Sequence, residues 1–288
     1  MAKNSTIGRF ASDKATNLAL KSALDEDGNP TEAFEKVVFK TLDIQRPLVL
    51  KNIQRLREKH PGDTPDQLAE RLSEQYLNAV TGAGAAVGGT AIIPGVGTVA
   101  ALGLSAAAVV GFLEATALYG QSLAELHGIS TADPQRSRAV VMTLMLGDDA
   151  KELLREAAGK AGAKQDSMAG LNALMGTSSA AGGAGVGAMM MDQLKRRFFK
   201  RLLVRQGAGM IGRAVPFGIG AVIGGVGNRA MGKAVVENAR QLFGPLPAVI
   251  PGELRGESVQ AEKDDDGGFL GGLLRALPGG KDKDSTRS

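Results

Sequence analysis

The residue types in this chain that could do chemistry are carboxylates, two histidines and glycines spaced as if to cradle phosphate. Asp148, Asp149 and Glu152 cluster closely enough to offer a general acid beside a base. Acids in the first turn of a helix also complement its dipole, and that use needs no reaction. His60 and His127 are the 2 histidines; both stand at expected helix ends, far apart in sequence. Neither has the i, i+4 partner that would place two imidazoles on one metal, so structural roles are expected for both. Gly207-Ala208-Gly209-Met210-Ile211-Gly212 fits GxGxxG. Pro216 follows closely, however, no strand precedes it, and the acid expected about 20 residues further on is missing. Gly227 through Gly232-Lys233 fits GxxxxGK, yet Ala234 stands where a hydroxyl would hold magnesium. In a chain with 40 glycines such spacings arise by chance, and helix packing explains them. No serine sits in a nucleophile elbow. The absence of cysteine excludes thiolate nucleophiles, disulfides and cysteine metal sites, and fits a reducing compartment. No catalytic set, metal site or cofactor is expected.

The strongest local feature is a basic run. Lys195, Arg196, Arg197, Lys200, Arg201 and Arg205 alternate with Phe198, Phe199, Leu202, Leu203 and Val204. A helix here carries cations beside large apolar groups, which suits the surface of an anionic bilayer. A solvated helix face is the plainer alternative. Nucleic acid is not an expected partner, because no recognition motif accompanies the run.

The elements that would position this run are helices almost throughout. Residues 4–25 form a weak amphipathic pattern around Ile7, Phe10, Leu18 and Leu20, closed by the turn formers DEDGNP. From Thr31, residues Phe34, Val37, Val38 and Leu42 share one helix face. Pro47 restarts that helix and Pro61-Gly62 stops it. Thr64-Pro65-Asp66 then supplies an N-cap hydroxyl, a first-turn proline and a first-turn acid. Asp133-Pro134 reads as another start, followed by an apolar face of Val140, Val141, Leu144, Met145, Leu153 and Leu154.

Uncharged, glycine-rich segments interrupt this pattern. The longest runs from Gln75 to Leu113, broken near its centre by Pro94-Gly95. One membrane span needs about 20 apolar residues, so the segment has the length of two arms. Tyr76 and Tyr119, the 2 tyrosines, flank it; folding at Pro94-Gly95 brings them to one level, where amphipathic rings favour a membrane interface. A buried helical hairpin in a soluble bundle competes with insertion. A second uncharged stretch runs from Ser167 to Met191, and a third, AVPFGIGAVIGGVGN, turns at Pro216 and echoes the first as a second hairpin.

The expected architecture is all-α: a helical bundle with two glycine-rich helical hairpins and a disordered C-terminal tail. Residues 1–30 are expected as an N-terminal helix, 31–250 as the helical domain and 251–288 as the tail. Within the tail, Phe269, Leu270, Leu273, Leu274 and Leu277 form an apolar island that reads as a docking motif or as a segment folding back on the body.

The glycine-rich AVTGAGAAVGGTAIIPGVGTVAALGLSAAAVVGFLEATALYG, together with IGRAVPFGIGAVIGGVGNRAMGKAVVENARQLF, resembles the EcsC family over roughly residues 35–244. The resemblance implies a bacterial, mostly helical protein associated with membranes; it implies no reaction and carries over no catalytic residue. The first thirty residues lack a secretory signal, so the expected location is the cytoplasmic face of the membrane. The leading expectation is a non-enzymatic protein that binds anionic lipid through the basic helix and the hairpins. Three alternatives stand beside it: a helical module docking to a protein assembly through its tail, a pore-forming effector, and a lipid-directed enzyme.

Overall fold

The computed structural model describes residues 30–90, 98–160, 167–174, 183–210 and 219–248, with the single positions Asp25 and Gly162. Side chains are described over 30–83, 109–160, 169–172, 188–202 and 226–248, and at those two positions. The expected N-terminal helix over 1–30 and the tail over 251–288 lie outside these residues.

Every described element is an α-helix, as the sequence pattern predicts. In chain order they are α1 Glu32–Leu42, α2 Arg46–Lys59, α3 Pro65–Thr90, α4 Thr98–Leu126, α5 Pro134–Leu146, α6 Asp148–Lys160, α7 Ser167–Leu174, α8 Gly183–Met210 and α9 Ile219–Phe243. Local chemistry sets their ends. Thr31 caps α1 by accepting from the Phe34 N–H at 3.3 Å. At α3, the Thr64 hydroxyl accepts from the Gln67 N–H at 3.3 Å while the Thr64 N–H donates to Gln67 Oε1 at 2.8 Å, a reciprocal capping box. The Asp133 carboxylate caps α5 through the Gln135 N–H at 2.9 Å. Gly147, at φ 61°, ends α5 in a left-handed conformation that favours glycine.

The core gathers around α4 and α5. Val140, Val141, Met142 and Leu144 are wholly buried, so α5 is enclosed on several sides, and α4 packs against α1, α2, α3, α5 and α9. Ser73 meets Tyr119 and Tyr76 meets Thr116, so α3 and α4 run antiparallel as the arms of a hairpin. The second expected hairpin is arranged differently among the described residues. Helix α9 lies along α3, its most extensive neighbour, while α8 packs on α5 and α6. Glycine allows the first of these contacts: a Cβ on Gly232 would sit 3.0 Å from both Leu77 Cδ2 and Val80 Cγ2. Gly232, the second glycine of the GxxxxGK spacing, therefore serves close helix packing inside α9.

Candidate functional site

The basic run lies on α8, and helical periodicity divides it. Leu194, Phe198, Phe199 and Leu202 turn inward. Phe198 and Phe199 are 2% and 1% exposed. The Phe199 ring meets Phe34 edge-on at 6.0 Å, Phe39 at 5.4 Å and Phe198 at 5.3 Å. The expectation that these two phenylalanines face lipid is overturned. α1 offers Phe199 an apolar face, and α4, α5 and α9 offer one to Phe198, within the same molecule; burying each ring contributes about 1.5–3 kcal/mol.

The cations divide as well. Arg197 donates to the Asp149 carbonyl at 3.0 Å and lies 3.6 Å from Glu152. Arg201 donates to the Leu146 carbonyl at 2.7 Å and pairs with the Asp149 carboxylate. Asp149 and Glu152 are thus counter-charges to α8, not an acid–base pair, and Arg201 satisfies a carbonyl at the end of α5. Lys195 sits 3.6 Å from Asp192 and 5.9 Å from the centre of the Phe39 ring. Arg196 and Lys200 stay exposed and carry no ion pair among the described residues. Arg205 follows one turn beyond Arg201 on the α8 backbone.

Helix directions bring the uncharged segments to one end of the bundle. α9 also runs antiparallel to α3, because Asn228 donates to the Val80 carbonyl at 3.2 Å while Gly232 packs further back on Tyr76 and Leu77. The last turns of α3 and the first turns of α4 and α9 therefore point the same way. α8 heads the same way: Arg197 meets Asp149 and Glu152 on α6, Arg201 reaches Leu146 at the end of α5, and Leu202 lines a cleft with Val109 in the first half of α4. α3 carries no charge beyond Glu74, α4 none before Glu114, α8 none beyond Arg205 and α9 none before Arg229. At about 1.5 Å per residue, α3 runs on for some 15 Å past Val80. Below this uncharged end, Arg196 and Lys200 on α8 and Arg229 and Lys233 on α9 are exposed and carry no ion pair among the described residues. They form a basic collar.

Tyr76 and Tyr119 do meet at one level, but not at an interface. Each is 3% exposed. Their rings stack at 4.8 Å and 11°, with the hydroxyls 2.9 Å from Thr116 Oγ1 and 3.1 Å from Ser73 Oγ. Burial raises both phenols above their ordinary range. Tyrosine reaches the core because each hydroxyl finds a partner there, which removes the reason for a water-facing position. His127 stacks on Phe243 at 4.8 Å and its Nδ1 lies 2.8 Å from the Leu123 carbonyl, at the end of α4. His60 is the C-cap residue of α2.

Two carboxyls escaped the sequence reasoning. Glu125 is nearly buried and receives Arg46 Nε at 2.8 Å, Arg46 Nη2 at 3.1 Å, the Thr131 N–H at 2.7 Å and the Thr131 hydroxyl at 2.8 Å. Burial pushes this carboxyl up, but the Arg46 and Thr131 bonds outweigh it and hold it below the usual carboxylate value. Glu114 has no such support. Burial raises it to about 7, and Oε2 has no hydrogen-bond partner among the described residues. The signal available in the sequence was an isolated acid at the end of a long uncharged run.

The hairpin-turn residues Pro94, Gly95 and Pro216, and the tail residues Phe269, Leu270, Leu273, Leu274 and Leu277, lie outside the described residues. Among those described, no helix is long and apolar enough to cross a membrane. Nor does any group of three or more histidines and acids there make a metal site. No family model, curated protein or solved structure matches the chain.

Proposed function

We propose that this chain is a non-enzymatic protein that docks on anionic bilayer surfaces with one end of its bundle, embedding shallowly without crossing. The single observation behind this reading is the convergence of four uncharged helix ends above a collar of cations that carry no ion pair among the described residues. Such an end meets the acyl boundary while the collar meets headgroups, the division of labour of an interfacial amphipathic surface. The resemblance to the EcsC family points the same way. Phe198, Phe199, Tyr76 and Tyr119 have no part in the contact, since the core holds them. Arg197 and Arg201 contribute mainly to joining α8 with α5 and α6. The cytoplasmic leaflet, which carries the anionic lipids, is the matching surface.

Each cation near such a surface contributes roughly 1 kcal/mol, so the four collar residues together amount to about three orders of magnitude in partitioning. Flotation of the full chain with vesicles of neutral lipid and of neutral lipid mixed with phosphatidylglycerol tests this. Replacing Arg196, Lys200, Arg229 and Lys233 by Gln should lower binding to the anionic vesicles about 100-fold or more at low salt. Equal flotation of parent and variant would remove the collar from the mechanism. Failure of the parent to float with either vesicle would remove the bilayer.

A further inference from the structure

Beside the collar, α4, α5, α8 and α9 leave an apolar cleft between them, walled by Phe112, Met145, Phe198, Leu202, Met231 and Val235. Met145 and Met231 are only partly buried, so the cleft opens to the surface, and Arg201 stands at its edge. Methionine walls adapt to the shape of an apolar guest. The cleft has room for about one apolar side chain, some 30 Å³. We propose that its occupant is a side chain of the chain's own C-terminal island, Phe269 to Leu277, folded back over this cleft.

Three features favour that guest. Phe269, Leu270, Leu273, Leu274 and Leu277 are spaced i, i+1, i+4, i+5 and i+8, the pattern by which a helix lays one apolar face into a groove. The described chain ends at Ala248, just beyond α9, and the connector of about 20 residues from there to Phe269 spans up to ~65 Å. The way back from Phe243 to Val235 along α9 is only about 12 Å. The connector is also acidic, with Glu253, Glu257, Glu262, Asp264, Asp265 and Asp266 against Arg255 and Lys263. α8, which supplies one wall of the cleft, carries more cations than the acids paired with them among the described residues. Charge complementarity of this kind selects the register of a contact. A tether of this length holds the island at an effective concentration near the millimolar range, so even a weak fit fills the cleft.

The chain contains no cysteine, so two introduced ones report the contact directly. Full-length Met231→Cys with Leu273→Cys is oxidised under mild conditions and compared with Met231→Cys with Ser285→Cys. Val235→Cys repeats the test on the same wall should Met231→Cys not fold. The expected result is an intramolecular cross-link forming about tenfold faster for the island pair, at a rate independent of protein concentration. Adding Leu270→Asp and Leu274→Asp, which lie in the tail and leave the body untouched, should erase that advantage. Equal rates for the two pairs would overturn the proposal. So would cross-linked dimers whose yield rises with concentration, which would make a second copy the guest.

Discussion

Two carboxyls on one helix respond to burial in opposite ways: Arg46 and Thr131 hold Glu125, while Glu114 Oε2 has no hydrogen-bond partner among the described residues. Glu114 titrates near 4.3 in the unfolded chain and near 7 when folded. The folded protein therefore binds more protons between these values, and stability falls as the pH climbs through that window and is flat above it. Glu114→Gln should be more stable than the parent at pH 8 by on the order of 2 kcal/mol, with the gap closing as the pH falls below the ordinary carboxylate range. Urea unfolding at stepped pH reads this out, and a gap that ignores pH would contradict it. Glu125 behaves in reverse. Its folded carboxyl lies below the ordinary value, so its contribution is present above the usual carboxylate pKa and is lost as the pH falls through the folded one. Glu125→Gln removes the buried carboxylate charge that Arg46 and Thr131 hold and should destabilise the chain at pH 7 by about 2–4 kcal/mol, again by urea unfolding. Neither environment was legible in the sequence, since the pairing spans from Arg46 to Glu125 and the isolation of Glu114 depends on what packs over it.

Among the helices, glycine does the work that large residues do elsewhere. Gly170 on α7 lies so close to α6 that a Cβ would fall inside the Leu154 carbonyl group, backbone that has no room to move. Gly227 on α9 has nothing within 4 Å of the same point. Gly170→Ala should therefore cost about 1–3 kcal/mol, while Gly227→Ala should stabilise by about 0.5–1 kcal/mol through the helix propensity of alanine. Thermal unfolding of the two variants should shift in opposite directions; a common direction would contradict the packing. Helix starts at Thr31, Thr64 and Asp133 were readable because caps are local chemistry. The partner of α9 was not. The sequence echo between the glycine-rich segments favours a hairpin of α8 with α9, but Gly232 fits closely under Tyr76, Leu77 and Val80, and α9 pairs with α3.

For the molecule as a whole, the decisive property is polarity of arrangement: uncharged helix ends, a basic collar, and a body in which α8 is joined to α6 through charge pairs. Electrostatic attachment through the collar is screened over about 8 Å at physiological ionic strength and over about 3 Å at 1 M. Flotation on anionic vesicles should accordingly fall steeply between low and high salt, whereas a fraction held by the uncharged helix ends should persist. Salt-independent binding that also survives the four Gln substitutions would assign the whole attachment to the apolar end.

Determined by the sequence alone were the all-α class, the main helix starts and stops, and the two properties that make the surface unusual, long uncharged runs and one concentrated basic run. These follow from composition and from interactions within a few residues, which hydrophobic period and capping chemistry report directly. Only the tertiary structure decided which way each face points. It buried Phe198, Phe199, Tyr76 and Tyr119, joined Asp149 and Glu152 to Arg201 and Arg197, and left Arg196 and Lys200 without an ion pair among the described residues. The physical reason is that burial and charge neutralisation depend on which helix arrives alongside, and partners more than forty residues away leave no mark on local spacing.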